Sequence, residues 1–298
     1  MSASSLSTVA PTQPAQRVAR RRIRVPLVPT IPAIIVGVLI LTAIFADLIA
    51  PHSPTLNSLI DSMNPPFFAQ GGSTQFLLGT DIFGRDILSR LIYGARISVT
   101  VAFCVLGLAT AVGVSLGVIA GYFGGVADAV ISRVIDITIS FPPLLVAIVL
   151  AVVFGPSFTN VVLITTLFYW PLTARQVRGE VLALKHQDFV VLARVGGASN
   201  LRIMRKHILP SVLPTVLVIT TLQVGAVIIF EASLSFLGVG VPPPQPSWGV
   251  MVADGRGQIA TGWWLSLSPG LTIFATVLAT NSLGDWLRDR IDPRLRQL

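Results

Sequence analysis

The stretch ITISFPPLLVAIVLAVVFGPSFTNVVLITTLFYWPLTA, residues 137–174, holds no Asp, Glu, Lys or Arg in 38 positions. A helix that crosses a bilayer needs about 20 mostly apolar residues, so this run is too long for one crossing. Gly155-Pro156 divides it, leaving about 18 residues on each side, and the run reads as a helical hairpin. Alternating strand patterns are absent. Backbone polar groups in hydrocarbon must be satisfied inside the segment, so the crossings are helices.

Further charge-free runs lie outward of this hairpin at 25–46, 97–127, 208–230 and 257–284. The sum is an all-α, polytopic membrane protein with six transmembrane helices, at 29–49, 98–120, 136–154, 158–174, 212–236 and 264–285. Composition agrees: charged residues are 11% of the chain, where a soluble domain carries roughly 25%. Apolar residues reach 53% and the mean hydropathy is +0.79. A water-soluble fold of 298 residues could not cover itself with so few charges, which excludes an ordinary soluble enzyme and a disordered chain. The basic balance, 21 Lys+Arg against 13 Asp+Glu, flanks apolar runs rather than forming a basic stripe, so nucleic acid is not the partner.

Six crossings put both termini on one side of the membrane. That side collects 17 of the basic residues, in the segments 17–24, 133, 175–206 and 288–296. The opposite side has only Arg85, Arg90, Arg96 and Arg256. By the positive-inside rule both termini are cytoplasmic. The expected organisation is a disordered basic tail over 1–28, a first span with an external segment over 29–96, a five-helix core over 97–287, and a C-terminal tail over 288–298. The apolar run after the tail exceeds a signal-peptide core and ends without a small-x-small cleavage site, so it reads as a retained span.

Two non-spanning segments carry pattern. In the external one, Ile87, Leu88, Leu91, Ile92 and Ala95 recur at helical spacing with Asp86 and Arg90 as an i,i+4 pair, which predicts an amphipathic helix along the outer membrane face. The cytoplasmic one, 175–211, is too long for a tight helix connection and too rich in Leu, Val and Ala for a solvated linker. It reads as a short helix broken at Gly196-Gly197, then a basic amphipathic helix stopped by Pro210, a shape suited to docking a soluble partner.

Several chemistries are absent. Gly113-Val114-Ser115-Leu116-Gly117 matches a G-x-S-x-G nucleophile elbow literally, but it lies mid-span, and His52, His186 and His207 all fall outside the spans. A membrane-embedded serine hydrolase around Ser115 is thus the weaker reading. Gly113, Gly117 and Gly121 read instead as a stripe for close helix packing. The histidines offer no metal-ligand spacing. Cys104 is the single cysteine and allows no disulfide within the chain. The two lysines, Lys185 and Lys206, follow Leu184 and Arg205, so no phosphate-cradling P-loop exists here.

The cytoplasmic segment resembles the EAA loop of ABC-importer permeases, whose pattern is E-A-A-x3-G-x9-I-x-L-P. Ala193 matches the second Ala, Gly197 the Gly, and Leu209-Pro210 the terminal pair. Val191, Leu192 and His207 stand where the pattern has Glu, Ala and Ile. Leu78-Gly79-Thr80-Asp81, Gly84-Arg85-Asp86 and Ser89 to Ser98 look like the approach to the second span in C-type subunits of dipeptide/oligopeptide importers. Glu231 to Gly240, Pro246-Ser247-Trp248-Gly249, Trp263-Trp264, Asn281, Gly284-Asp285 and Asp292-Pro293-Arg294 are similar to that subunit's later segments. The resemblance implies a peptide-importer permease in the bacterial plasma membrane, among membrane lipids. Its implied partners are a B-type permease, two ATP-binding subunits that hold the ATP, and an extracytoplasmic peptide-binding protein. Related permeases pass nickel chelates or glycans, and no polar cluster in the spans separates these solutes. The implied ATPase-coupling residues are Phe189, Leu192, Ala193, Val195, Gly197, Leu209 and Pro210. Glu231 is an intramembrane acid some 20 residues past Pro210, near the outer end of its span, where a hydrogen-bond or ion-pair role is expected.

Overall fold

The computed structural model describes residues 29–291. The described residues form helices and turns, with no strand and a single bridge between Thr80 and Asp86. The tail expected over 1–28 lies outside them, apart from its boundary. Helices α1 (Thr30–Ile44) and α2 (Ala46–Ile49) meet at Phe45, whose φ of −99° and ψ of 24° bend the first apolar segment. They lie across α3 (Ile87–Phe123), which is 37 residues and therefore about 55 Å long.

The length of α3 corrects two expectations. The amphipathic segment at 87–96 does not lie on the membrane as a separate helix; it is the first turns of α3 and continues straight into the span, so no boundary exists at 96/97. Ile87 and Leu91 are buried in one cluster with Met63, Leu78, Ile82, Trp248 and Met251, and Ile92 is buried as well. The Asp86–Arg90 pair does not form either. Asp86 caps α3, accepting from the Ser89 amide (3.0 Å) and hydroxyl (2.6 Å), while Arg90 turns to Asp81 and Asp254.

The span expected at 136–154 is also corrected. Helix α4 (Gly125–Ser140) breaks at Phe141-Pro142, and α5 (Pro143–Phe154) departs at 88°. Pro142 and Pro143 have no N–H for the carbonyls of Thr138 and Ile139, so the helix cannot continue. After Gly155, at φ +80°, α6 (Phe158–Leu184) runs back. It passes the expected end at 174 by ten residues because Val177 and Val181 extend its buried stripe, so those residues of the 175–211 segment are helix rather than loop.

The glycine stripe of α3 lies on α6. A Cβ at Gly113 would meet Thr173 Cβ at 2.7 Å; one at Gly117 would meet the Ala174 carbonyl at 2.7 Å; one at Gly121 would meet Val181 Cβ at 2.7 Å. Glycine at these positions lets the backbones approach and trade dispersion contacts. Gly117→Val is expected to overpack this contact and lower stability by about 1–3 kcal/mol, seen as a lower Tm of the detergent-solubilised protein.

Next come α7 (Asp188–Val195), α8 (Asn200–Ile203), a π turn at Met204–Ile208 and α9 (Leu209–Phe236). Pro210 does not stop the helix, contrary to the sequence reading: Asn200–Phe236 is one helical body of 37 residues. The wider π turn directly before Pro210 accommodates the pyrrolidine ring, which would otherwise strike the carbonyl of residue 206. After α10 (Trp248–Gly255), α11 (Trp264–Ile291) returns and carries helix past the expected tail boundary at 288. α3, α6, α9 and α11 form the body; α3 and the Asn200–Phe236 helix are each long and apolar enough to cross a membrane alone, and the α4–α5 pair passes the same test only when its two bent halves are taken together.

Candidate functional site

The segment joining α6 to α9 is folded, not loose. Val190, Ile203 and Ile208 are fully buried with Val177, Val181 and Tyr122, which seats α7 beneath α3 and α6. Tyr122 donates to Asn200 at 2.9 Å, and Lys185 Nζ donates to the Gly121 carbonyl at 3.1 Å. Helix α7 ends at Gly197, φ +79°, where the Gly197 amide donates to Arg194 O (3.0 Å) and the Ala198 amide to Ala193 O (3.0 Å). This paired arrangement is the Schellman stop, and it favours glycine at the left-handed position.

The outward face of that knob is apolar. Leu192 is 69% exposed and Val195 80%, with Phe189 and Val191 half exposed beside them. Ala193 faces inward onto the buried cluster, and so does Leu209; Pro210 lies exposed in the first turn of α9. The Phe189 ring stands 6.3 Å from that of His207. Of the seven residues named from sequence, Phe189, Leu192 and Val195 share the surface, Gly197 sets the turn, and Ala193, Leu209 and Pro210 hold the base.

The knob's base is braced from α4. Arg178 clamps Asp128 through Nε and through Nη2 at 2.7 Å, and this guanidinium holds the Asp128 carboxyl below its ordinary pKa. The folded pKa is depressed, so the brace contributes fully above the unfolded value near 3.9 and is lost as pH falls through the lower folded value. Asp128→Asn is expected to be less stable than the parent at neutral pH, with the difference shrinking below about pH 4 in a pH series of thermal unfolding curves.

At the other end, residues 50–86 form a cap whose centre the sequence reading missed. Asp81, 3% exposed, accepts from Arg85 Nε (2.7 Å), from Arg90 Nη1, and from the Phe83 and Arg85 amides (2.9 Å each). Asp254, at the end of α10, reaches Arg85 and Arg90 at 3.4 Å. Burial and the neighbouring Arg85 push the Arg90 guanidinium pKa down, opposed by the two aspartates. Trp264 Nε1 donates to the Thr80 carbonyl, pinning the cap to the start of α11, and Trp248 Nε1 donates to the Leu91 carbonyl, tying α10 to α3. The signal was present as two arginines within five positions of a conformationally special Asp-x-x-Gly-Arg turn, but Asp254 is 173 residues from Asp81.

Glu231 is fully buried in α9, where Ser235 donates to one oxygen at 2.7 Å and Ser98 of α3 to the other at 3.2 Å. No cation pairs with it among the described residues. Ser115 donates to the Ala111 carbonyl at 2.7 Å, a bond within its own helix.

Residues 113–297 match the family described as binding-protein-dependent transport system inner membrane component. The chain belongs to that family. This inner-membrane component is 44% identical over 262 residues to the dipeptide transport system permease protein DppC of Escherichia coli K12, covering 88% of this chain and 87% of that one. It is 38% identical to the di/tripeptide transport system permease protein DppC of Pseudomonas aeruginosa, covering 87% and 85%. Among solved structures, the MetNI methionine ABC transporter in an inward-facing form aligns with a TM-score of 0.58 at 19% identity, over 69% of this chain and 98% of that chain. An amino acid ABC transporter aligns with a TM-score of 0.51 at 15% identity, over 71% and 95%. These likenesses give the fold as that of ABC-importer permeases.

Proposed function

We propose that this inner-membrane component is a permease subunit of an ATP-driven importer of di- or oligopeptides. The observation that carries the reading is the α7 knob: a well-folded projection whose Leu192 and Val195 stay exposed, with nothing among the described residues covering them. Energy then arrives by contact with separate ATP-binding subunits, two in number, that seat this knob in a groove. A related B-type permease completes the pathway, and an extracytoplasmic peptide-binding protein delivers the solute. The peptide class is supported by the names of the relatives. The charge asymmetry supports six crossings (α1–α2, α3, α4–α5, α6, α9 and α11) with both termini cytoplasmic. Transport proceeds by alternating access, with ATP closing the ATPase pair and the knobs drawing the permeases from one arrangement to the other.

The test is reconstitution of the chain with the proteins encoded beside it in vesicles. The expected result is co-isolation of ATP-binding subunits and ATP-dependent peptide uptake that requires the binding protein. Uptake of a nickel chelate or glycan without peptide uptake would overturn the substrate class, and Ser115-dependent hydrolysis by the lone chain would overturn the permease reading.

A further inference from the structure

Buried side-chain polar atoms without a hydrogen bond are concentrated in two places among the described residues. One is the outer cap (His52 Nδ1, Asp86 Oδ1 and Arg90 Nε). The other is α6 with the face of α9 against it: Thr165 and Thr166 Oγ1, Glu180 Oε2 and Gln223 Oε1. Thr166, Thr173 and Glu180 are spaced by seven and so share one stripe of α6. Two bonds tie that stripe to α9. Thr215 donates to Glu180 Oε1 at 3.1 Å, and Gln223 Nε2 approaches Thr173 Oγ1 at 3.5 Å, the limit of a hydrogen bond. Elsewhere the helical hydroxyls of Thr100, Thr138 and Thr221 close onto the carbonyl four residues back, but those of Thr165 and Thr166 do not.

The two helices are also weakened at this contact. Pro171 in α6 stands two residues from Thr173, and Pro214 in α9 stands next to Thr215. Each proline removes the N–H that the carbonyl four residues earlier would have used, at Leu167 and Pro210. The π turn at Met204–Ile208 lies directly below, at the foot of α9. The α3–α6 contact is built differently, from glycines, close backbones and mostly apolar side chains, with Thr173 beside Gly113 the seam residue that it shares.

A seam of polar groups in an apolar surround holds one register firmly only when every member is bonded. This one is under-bonded, so a small displacement of α9 along α6 breaks two weak contacts there, together with the Ser98–Glu231 and Thr110–Thr220 bonds that tie α9 to α3. α6 and α9 are the two helices that flank the α7 knob, so a pull on the knob loads this contact directly. Resting on the permease reading above, we propose that Thr173, Glu180 and Gln223 are positioning residues of a sliding seam, across which α9 shifts against the α3–α6 pair during each transport cycle. The prolines and the π turn supply the bending that lets the foot of α9 follow the knob.

The test uses the intact complex in vesicles, with Cys104→Ala as the parent. In Thr173→Cys/Gln223→Cys, a short bifunctional methanethiosulfonate joins the two thiols across the seam. The expected result is a drop in ATP-dependent peptide uptake of at least about tenfold on joining, restored by reductant, with ATP-binding subunits still attached. Each single-cysteine chain is compared with its own untreated rate, and the reagent is expected to cause no further drop in it. Uptake that continues with the seam joined at the rate of the untreated double variant would overturn the proposal, since a static contact tolerates a tether. Gln223→Leu gives a second reading, because an apolar side chain of similar size removes the orphan and fixes one register. Its complex is expected to keep or raise its Tm while uptake falls by about tenfold; a lower Tm with proportionate loss of uptake would mark Gln223 as structural and overturn the role. A parent complex that imports no peptide fails the permease reading instead, before any tether is made.

Discussion

Leu192→Asp is expected to leave the subunit inserted and folded while ATP-dependent uptake falls at least about thirtyfold, because an apolar anchor at the centre of a protein contact contributes about 2 kcal/mol or more. Leu192 is 69% exposed, so the carboxylate is solvated in the lone chain and its own stability hardly changes. When the knob is covered by a partner, the same carboxylate loses its water without gaining a cation. Val195→Asp, one turn further along α7, should behave alike. Gly197→Asp is a different experiment. A Cβ at Gly197 meets nothing within 4 Å, so the change buries no charge in this chain; its effect comes from the φ of +79°, about 1 kcal/mol of strain at the helix stop. Co-purification of the ATP-binding subunits together with uptake checks all three. Normal association and full uptake in both Leu192→Asp and Val195→Asp would remove the knob from the coupling path.

Helix content and the folded knob between α6 and α9 were legible because both rest on local pattern. Long charge-free runs define the helical body, and Gly196-Gly197 announces the stop of α7. The misreadings share one cause, which is that apolar runs conceal where helices start, stop or bend. Pro142-Pro143 was as strong a break as Gly155-Pro156, yet it lies near the beginning of a run whose length fitted two straight crossings. Arg175, Arg178 and Glu180 looked like the start of a loop, while Val177 and Val181 carried the buried stripe of α6 onward between them. Pro210 looked like a stop, but whether a proline ends a helix depends on the turn before it, and a π turn has no local signature. Long-range polar pairing was out of reach in principle. Asp86 and Arg90 had ideal i,i+4 spacing, but tertiary partners placed Arg90 between Asp81 and Asp254 instead.

That displaced arginine makes Asp81→Ala the substitution with the largest expected effect on the fold. Arg90 is 3% exposed and sits in a cavity lined by Ile87, Met251 and Leu265 along with its two aspartates. Removing Asp81 leaves Arg90 with only Asp254 at 3.4 Å, and strips acceptors from the Phe83 and Arg85 amides as well. Breaking one side of a buried ion pair destabilises by about 3–5 kcal/mol, because the remaining charge stays desolvated. The replaced carboxylate serves two arginines and two amides, so the upper end of that range is expected. The loss is local to the outer cap: the Thr80 carbonyl that receives Trp264 adjoins Asp81, so the cap should detach from the start of α11. The knob lies at the far end of α6, so the ATP-binding subunits should still attach. The measurable signature is a markedly lower Tm, new proteolytic cleavage within 50–86, and loss of uptake with ATPase association intact. Asp81→Asn keeps an oxygen for the two amides and removes only the charge, so it should fall between the parent and Asp81→Ala; equal stability of Asn and parent would show that the turn geometry, not the ion pair, holds the cap.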